Sequence, residues 1–290
     1  MIIVTGVSGT VGSAVLLELQ KSGQPVRAMF RNLEDARKAP SSTATVVGDF
    51  ADKDSLHSAF AGADVLFLVC SPIPQLIELE SNAIEVAAAS GVKHIVLNSA
   101  LGAGKYDKSF PSWHRKVEEK LAATKLNYTI LRPNGFFQNI VTYNAPTILS
   151  QNAFYGSTGD AKISILDVRD VALAAAHILA DPSSHNRQIY ELNGPEALTN
   201  DDVAVSLSRL LGRTIQYVDL LDATFRNALA GAGLPEWQVN ALLELQQYYR
   251  SGKCAEVTNV LSDLLGRPSI KLDQFLLENK SRFQPLAAKG

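Results

Sequence analysis

Residues 1–12 read Met1-Ile-Ile-Val-Thr-Gly-Val-Ser-Gly-Thr-Val-Gly12. The apolar run Ile2 to Val4 has the character of a buried strand, and Gly6, Gly9 and Gly12 follow it at a constant spacing of three. A helical pattern then runs from Val11 to Lys21 and stops at Gly23. Strand, glycine turn and helix in this order make a cradle for the pyrophosphate of a dinucleotide. Amides at a helix N-terminus point outward, and the helix dipole favours negative charge there. The three glycines serve different ends, with a tight turn at Gly6, close approach of phosphate at Gly9, and helix–strand packing at Gly12. The cradle as a whole spans Gly6, Val7, Ser8, Gly9, Thr10, Val11 and Gly12.

Further along, strand and helix patterns alternate, which predicts a Rossmann-type α/β fold: a doubly wound parallel sheet. Strands are expected at Val26–Phe30, Thr43–Val47, Val65–Cys70, His94–Asn98 and Tyr128–Leu131. Asn32 suits the head of a short helix, with Asp35 completing a capping-box-like pair. A long helix is expected over Gln75–Ser90 before Gly91, and another from Pro111 to Ala123. Beyond Pro133 the alternation breaks. A strand over Lys162–Leu166 and a helix over Val171–Leu179 would bring the chain back to the sheet, with Asp167 and Asp170 at that helix's head. From Asn193 the pattern is mostly helical. The expected division is a dinucleotide-binding domain over 1–150, completed by 161–192, with 193–290 and 134–160 forming a smaller, helix-rich substrate region. Leu-Leu-Gly-Arg occurs at 210–213 and 264–267, where shared helix-end chemistry rather than an internal repeat explains it.

The 290 residues are 46% apolar and 19% charged, enough to build a packed core. A formal charge of −2 leaves no basic footprint for nucleic acid. Two sparse cysteines, Cys70 and Cys254, suit a reducing compartment. A first strand at Ile2 leaves no room for a signal peptide, and the apolar run Val65–Val69 is too short to cross a bilayer. The expectation is a cytoplasmic protein, monomeric or homodimeric, that acts on a small molecule without nucleic-acid or membrane partners. The five histidines have no metal-ligand spacing, and neither a GxSxG elbow nor a P-loop lysine is present.

The second strand's end selects between nicotinamide coenzymes, because an acid there binds the ribose 2′-hydroxyl and an arginine accommodates a 2′-phosphate. Here it reads Phe30-Arg31-Asn32, with no acid before Glu34. Arg31 brings a permanently charged planar fork, so NADP(H) is expected over NAD(H).

With these features, Gly48-Asp49-Phe50, Leu131-Arg-Pro-Asn-Gly-Phe-Phe-Gln-Asn139, Asp167-Val-Arg-Asp-Val-Ala172, Leu192-Asn-Gly-Pro195 and Gly266-Arg-Pro268 complete a likeness. The chain resembles the NmrA-like group of atypical short-chain dehydrogenases over essentially its whole length. That group includes NADPH-dependent quinone, azo-dye and triphenylmethane-dye reductases, and also regulators that bind the dinucleotide without turnover. The resemblance implies that Asp49 and Phe50 border the adenine and that Cys70, Ser71 and Pro72 line the adenosine and ribose side of the crevice. It also implies that Asn98, Ser99, Pro133, Asn134, Gly135 and Phe136 flank the nicotinamide. Short-chain dehydrogenases usually carry a tyrosine four residues before a lysine; the matching positions here hold Phe110 and His114. His114 is then the candidate for touching the nicotinamide ribose or moving a proton. Reducing a ketone makes an alkoxide, which needs an acid beside it, whereas a quinone or dye takes hydride into a delocalised system. The expected activity is NADPH-dependent reduction of such conjugated acceptors; the alternative is an NADP(H)-binding redox sensor. Phe136, Phe137, Tyr155 and Trp237 are candidates for an aromatic wall. On the helix from Pro235, however, Trp237, Leu242, Leu245 and Tyr249 have a spacing that by itself predicts burial.

Overall fold

A computed structural model describes residues 1–284 and divides the chain into two compact units. The first comprises Met1–Pro133 and Val168–Leu192; the second comprises Asn134–Asp167 and Asn193–Gly290, described as far as residue 284.

The first unit holds strands β1 (Ile2–Val4), β2 (Val26–Phe30), β3 (Ala44–Val47), β4 (Val65–Leu68), β5 (His94–Asn98) and β6 (Asn127–Pro133). Its helices are α1 (Thr10–Lys21), α2 (Leu33–Ala36), α3 (Lys53–Phe60), α4 (Leu76–Ala89) and α5 (Ser109–Ala122). The second unit contributes α6 (Ala145–Gln151) and β7 (Ala153–Gly156). The chain then rejoins the first with α7 (Val168–Ala180) and β8 (Gln188–Leu192).

Seven strands form one sheet in the order β3-β2-β1-β4-β5-β6-β8, and every neighbouring pair is parallel. This is the Rossmann arrangement, whose order reverses at β1 and β4. Successive side chains point to opposite faces of a strand. Ile3, Leu66, Leu68, Ile95, Leu97 and Ile130 face a core closed by Leu56 and Phe60 of α3, Leu76 and Ile84 of α4, and Val117 and Leu121 of α5. The alternate residues Val4, Phe67 and Val96 are equally buried, as a sheet covered on both sides requires. On α1, Val11, Val15 and Leu19 form the buried stripe, and α1 packs against α7.

The sheet is completed by β8 and not by Lys162–Leu166, which forms no strand. The amides of that segment bond one by one to separate partners: Ile163 to the Leu198 carbonyl, Ser164 to Cys254 and Leu166 to Gly135. Each bond is made, but no two share a ladder.

The second unit continues with α8 (Asn200–Leu211), β9 (Gln216–Asp219), α9 (Asp222–Gly231), α10 (Glu236–Arg250), α11 (Val260–Leu265) and α12 (Leu272–Glu278). Strands β7 and β9 pair in parallel. Phe137, Ile148, Phe154, Leu207, Phe275 and Phe283 meet in its core. On α10 the fully buried positions are Val239, Ala241, Leu243 and Tyr248, whereas Trp237, Leu242, Leu245 and Tyr249 are half-buried. Among the described residues no helix is long and apolar enough to cross a membrane, and no three His, Cys, Asp or Glu side chains gather to hold a metal ion.

Candidate functional site

The cradle starts with Thr5, fully buried at the end of β1. Its hydroxyl lies 3.0 Å from the Val69 carbonyl and accepts the Val69 amide at 2.9 Å, binding the ends of β1 and β4 together. Gly6 then turns the chain at φ +60°, and a Cβ on it would stand 2.8 Å from the Val69 carbonyl oxygen. A Cβ on Gly12 would meet the Gly6 carbonyl oxygen at 2.3 Å and that of Thr5 at 2.6 Å. Only hydrogen fits at either position, so α1 begins directly against the strand it follows. Its N-cap is Gly9, with no side-chain cap, and Ser13 N–H closes the first turn on the Gly9 carbonyl. The head of α1 thus presents bare amides and the positive end of a helix dipole.

At the end of β2, Asn32 caps α2. Its Oδ1 accepts the Asp35 amide at 2.9 Å and its Nδ2 donates to the Asp35 carboxylate at 3.0 Å, the pairing expected from the sequence. Lys38 engages both nearby acids, Glu34 at 3.1 Å and Asp35 at 2.8 Å, and it is the main cause of Asp35's lowered pKa. Arg31 is exposed and makes no hydrogen bond or close ion pair among the described residues. Its guanidinium is available for an added anion.

Two loops follow at the ends of β3 and β4. Asp49 accepts the Ala51 amide at 3.0 Å, while its own amide donates to Ser55 Oγ at 2.9 Å. Phe50 rests half-buried on the core, and its carbonyl accepts Asn82 Nδ2 of α4 at 3.0 Å. Cys70 is half-buried and Ser71 and Pro72 are exposed; the Ser71 carbonyl accepts the Ile73 amide at 2.8 Å.

The end of β5 carries a feature not recognised from the sequence. Ser99 Oγ donates to Glu118 Oε1 at 2.5 Å, and Arg132 of β6 grips the same carboxylate through Nε at 2.9 Å and Nη2 at 2.6 Å. Glu191 of β8 joins through Arg132 at 3.4 Å and Lys105 at 2.7 Å. The Glu118 and Arg132 side chains are only 7% and 13% exposed, so this fork is a charged brace inside the unit. Beside Ser99, Asn98 is buried with Oδ1 unpartnered among the described residues, and so is Nδ1 of buried His114 on α5. Burial pushes the His114 pKa down to about 4, so its ring is neutral at physiological pH.

After Pro133, whose carbonyl accepts the Leu101 amide, the remaining candidates belong to the second unit. Asn134 is committed to structure: Nδ2 donates to Ser164 Oγ and the Cys254 carbonyl, both at 3.0 Å, and Oδ1 accepts the Gly135 amide at 2.8 Å. Phe136 is half-buried. Phe137 is fully buried, its ring centroid 5.4 Å from that of Phe275, which makes it core and corrects its reading as pocket wall. Tyr155 is 39% exposed and donates to Gln151 at 2.5 Å, and Trp237 is half-buried. In the first unit, the candidates from Gly6 to Ser99 gather at the carboxyl ends of β1 to β5, where open α/β sheets bind ligands.

A dinucleotide fits these residues. The bare head of α1 suits a pyrophosphate and the unpaired Arg31 a further phosphate, while the orphaned Asn98 Oδ1 and His114 Nδ1 leave buried polar atoms for a ligand to satisfy. Comparison with known proteins agrees. The model of the NmrA-like family matches residues 1–273. The NAD(P)H azoreductase of Xenophilus azovorans is 30% identical over 285 residues, covering 98% of this chain and 99% of that protein. Quinone oxidoreductase 2 of Escherichia coli K12 is 32% identical over 276 residues, covering 94% and 96%. The crystal structure of the NADPH-dependent quinone oxidoreductase of E. coli complexed with NADPH superimposes with a TM-score of 0.89 at 30% identity, covering 96% and 99% of the two chains. Triphenylmethane reductase of Citrobacter sp. gives 0.85 at 25% identity, again covering 96% and 99%.

The chain belongs to the NmrA-like family, on a Rossmann α/β fold. Within that family it is an NAD(P)H-dependent oxidoreductase, and its coenzyme is NADP(H).

Proposed function

We propose that this oxidoreductase reduces flat, conjugated acceptors of the quinone, azo or triarylmethane type. The observation that carries the reading is the proton inventory around His114. The tyrosine and lysine positions of ordinary short-chain dehydrogenases hold Phe110 and His114, and burial keeps His114 neutral with a pKa of about 4. A neutral imidazole is a feeble acid and cannot neutralise the alkoxide formed from a simple ketone. A quinone or azo dye spreads the incoming charge over its own π system and takes its proton from water, and a triarylmethane cation is neutralised by the hydride itself and needs no proton. Names among the relatives, an azoreductase and a quinone oxidoreductase, support the same reading.

When bound, NADPH supplies the hydride; the chain's residues bind, orient and shield. In this reading the Gly6–Gly12 amides hold the pyrophosphate and Arg31 holds the 2′-phosphate. Asp49 and Phe50 border the adenine, and Cys70, Ser71 and Pro72 the adenosine and ribose side of the crevice. Asn98, Ser99 and Pro133 to Phe136 flank the nicotinamide, with Asn98 Oδ1 and His114 Nδ1 taking its polar groups. The Arg132–Glu118 fork keeps Ser99 and the end of β5 in place. Phe136, Tyr155 and Trp237 are the aromatic residues assigned to the acceptor.

The test follows NADPH absorbance with a panel of quinones, azo dyes, triarylmethane cations and simple aliphatic ketones. Turnover is expected with members of the first three classes and none with the ketones. Efficient ketone reduction, or tight NADPH binding with no turnover of any acceptor, overturns the proposal.

A further inference from the structure

Tyr249, in the last turn of α10, has no part in the site described so far. A Cβ built on Gly135 would stand 3.0 Å from its hydroxyl oxygen, 3.9 Å from its Cζ and 3.2 Å from Cγ2 of Ile165. The phenol therefore rests on Gly135, where no side chain holds it off. Yet its hydroxyl makes no hydrogen bond among the described residues. Gly135 does not supply one, because its amide donates to Asn134 Oδ1 at 2.8 Å and its carbonyl accepts the Leu166 amide at 2.9 Å. By contrast, Tyr155, Tyr190 and Tyr217 bond through their hydroxyls to Gln151, His185 and Asp219. A half-buried phenol without such a partner carries an unused donor. Its place is nonetheless fixed from both sides. Arg250, the next residue, donates to Ser157 Oγ at 2.8 Å and pairs with Asp222 at 2.8 Å. Beyond the helix, the Cys254 carbonyl accepts Asn134 Nδ2 at 3.0 Å, so Asn134 ties the chain after α10 to the stretch that holds Gly135.

We propose that Tyr249 binds the coenzyme's nicotinamide, its hydroxyl donating a hydrogen bond to the carboxamide oxygen. This rests on the reading that Pro133 to Phe136 flank that ring. The carboxamide is the ring's polar substituent, and its oxygen needs a donor once the ring leaves water. Both backbone groups of Gly135 are engaged, so the phenol lying on it is the neighbour that can provide one. Burial pushes the Tyr249 pKa above the ordinary phenol range, so the proton stays on oxygen and the donor persists through neutral and mildly alkaline pH. A carboxamide held by its oxygen restrains the ring, and this is what positioning for hydride transfer requires.

The experiment measures by calorimetry how NADPH and 2′-phospho-ADP-ribose, which lacks the nicotinamide, bind to the wild type and to Tyr249→Phe. The variant is expected to lose roughly three- to tenfold in NADPH affinity, the worth of one neutral hydrogen bond, and nothing with the fragment. Its unliganded melting temperature should match or exceed that of the wild type, because the hydroxyl removed had no partner. Gly135→Ala places a methyl against the phenol oxygen and should cost the wild type a similar share of NADPH affinity. In the Tyr249→Phe background it should cost little more, since the ring carbon it meets stands 3.9 Å away. Unchanged NADPH affinity in Tyr249→Phe overturns the inference, whatever happens to the KM of an acceptor. Equal losses with both ligands, a variant that melts well below the wild type, and additive losses in the double variant overturn it too. A wild type that binds neither ligand overturns the coenzyme reading itself, and this inference falls with it.

Discussion

In the proposed reading, selection of the coenzyme turns on Arg31. Lys38 draws off both nearby acids, Glu34 and Asp35, and so leaves a cation facing outward at the end of β2. Arg31→Glu should weaken NADPH binding by well over tenfold and spare NADH, measured by fluorescence titration; equal loss of both would remove its role in selecting the coenzyme. The Asn32–Asp35 cap was legible in the sequence, because it depends on neighbours within four positions. The Ser99–Glu118–Arg132 brace was not. Its members lie 19 and 14 residues apart in sequence and meet only once β5, α5 and β6 are stacked. Phe137 was misassigned for a related reason: an aromatic residue in a turn-rich stretch looks the same whether it faces a ligand or Phe275.

Among the secondary structure elements, helices with one clear apolar stripe and a glycine stop were predicted well. Both Leu-Leu-Gly-Arg motifs end helices on a left-handed glycine, Gly212 at φ 68° and Gly266 at φ 65°. Helix α10 spreads apolar residues over most of its circumference, at 237, 239, 241, 242, 243, 245, 248 and 249, so the phase of its buried face was ambiguous. Strands fared worse where pairing alone defines them. Lys162–Leu166 has strand composition but scatters its hydrogen bonds, whereas β8 has exposed Gln188 and Ile189 and is a strand because β6 offers a ladder. The charged fork ties helix α5 to β6 in addition to its apolar face, Val117 and Leu121. Glu118→Ala leaves Arg132 buried without its main partner and should cost about 3–5 kcal/mol by chemical denaturation. A loss under about 1 kcal/mol would mean the fork is solvated and contributes little.

For the whole molecule, coenzyme binding and folding are linked. A ligand that binds only the native state raises stability by about 2.7 kcal/mol at a hundredfold excess over Kd. NADPH should raise the melting temperature by several degrees in a concentration-dependent way, with NADH much weaker at equal concentration; no shift with either would contradict a preformed cradle. The chain leaves the first unit after Pro133 and re-enters at Val168, so Arg132 and its ion-pair partner Glu191 are 59 residues apart. During synthesis, then, six strands can assemble while the outer edge at β6 stays bare until Leu192 has left the ribosome. In that interval β6 exposes an open row of backbone groups and an arginine holding only one of its two acids, the condition in which strand edges recruit the wrong neighbour.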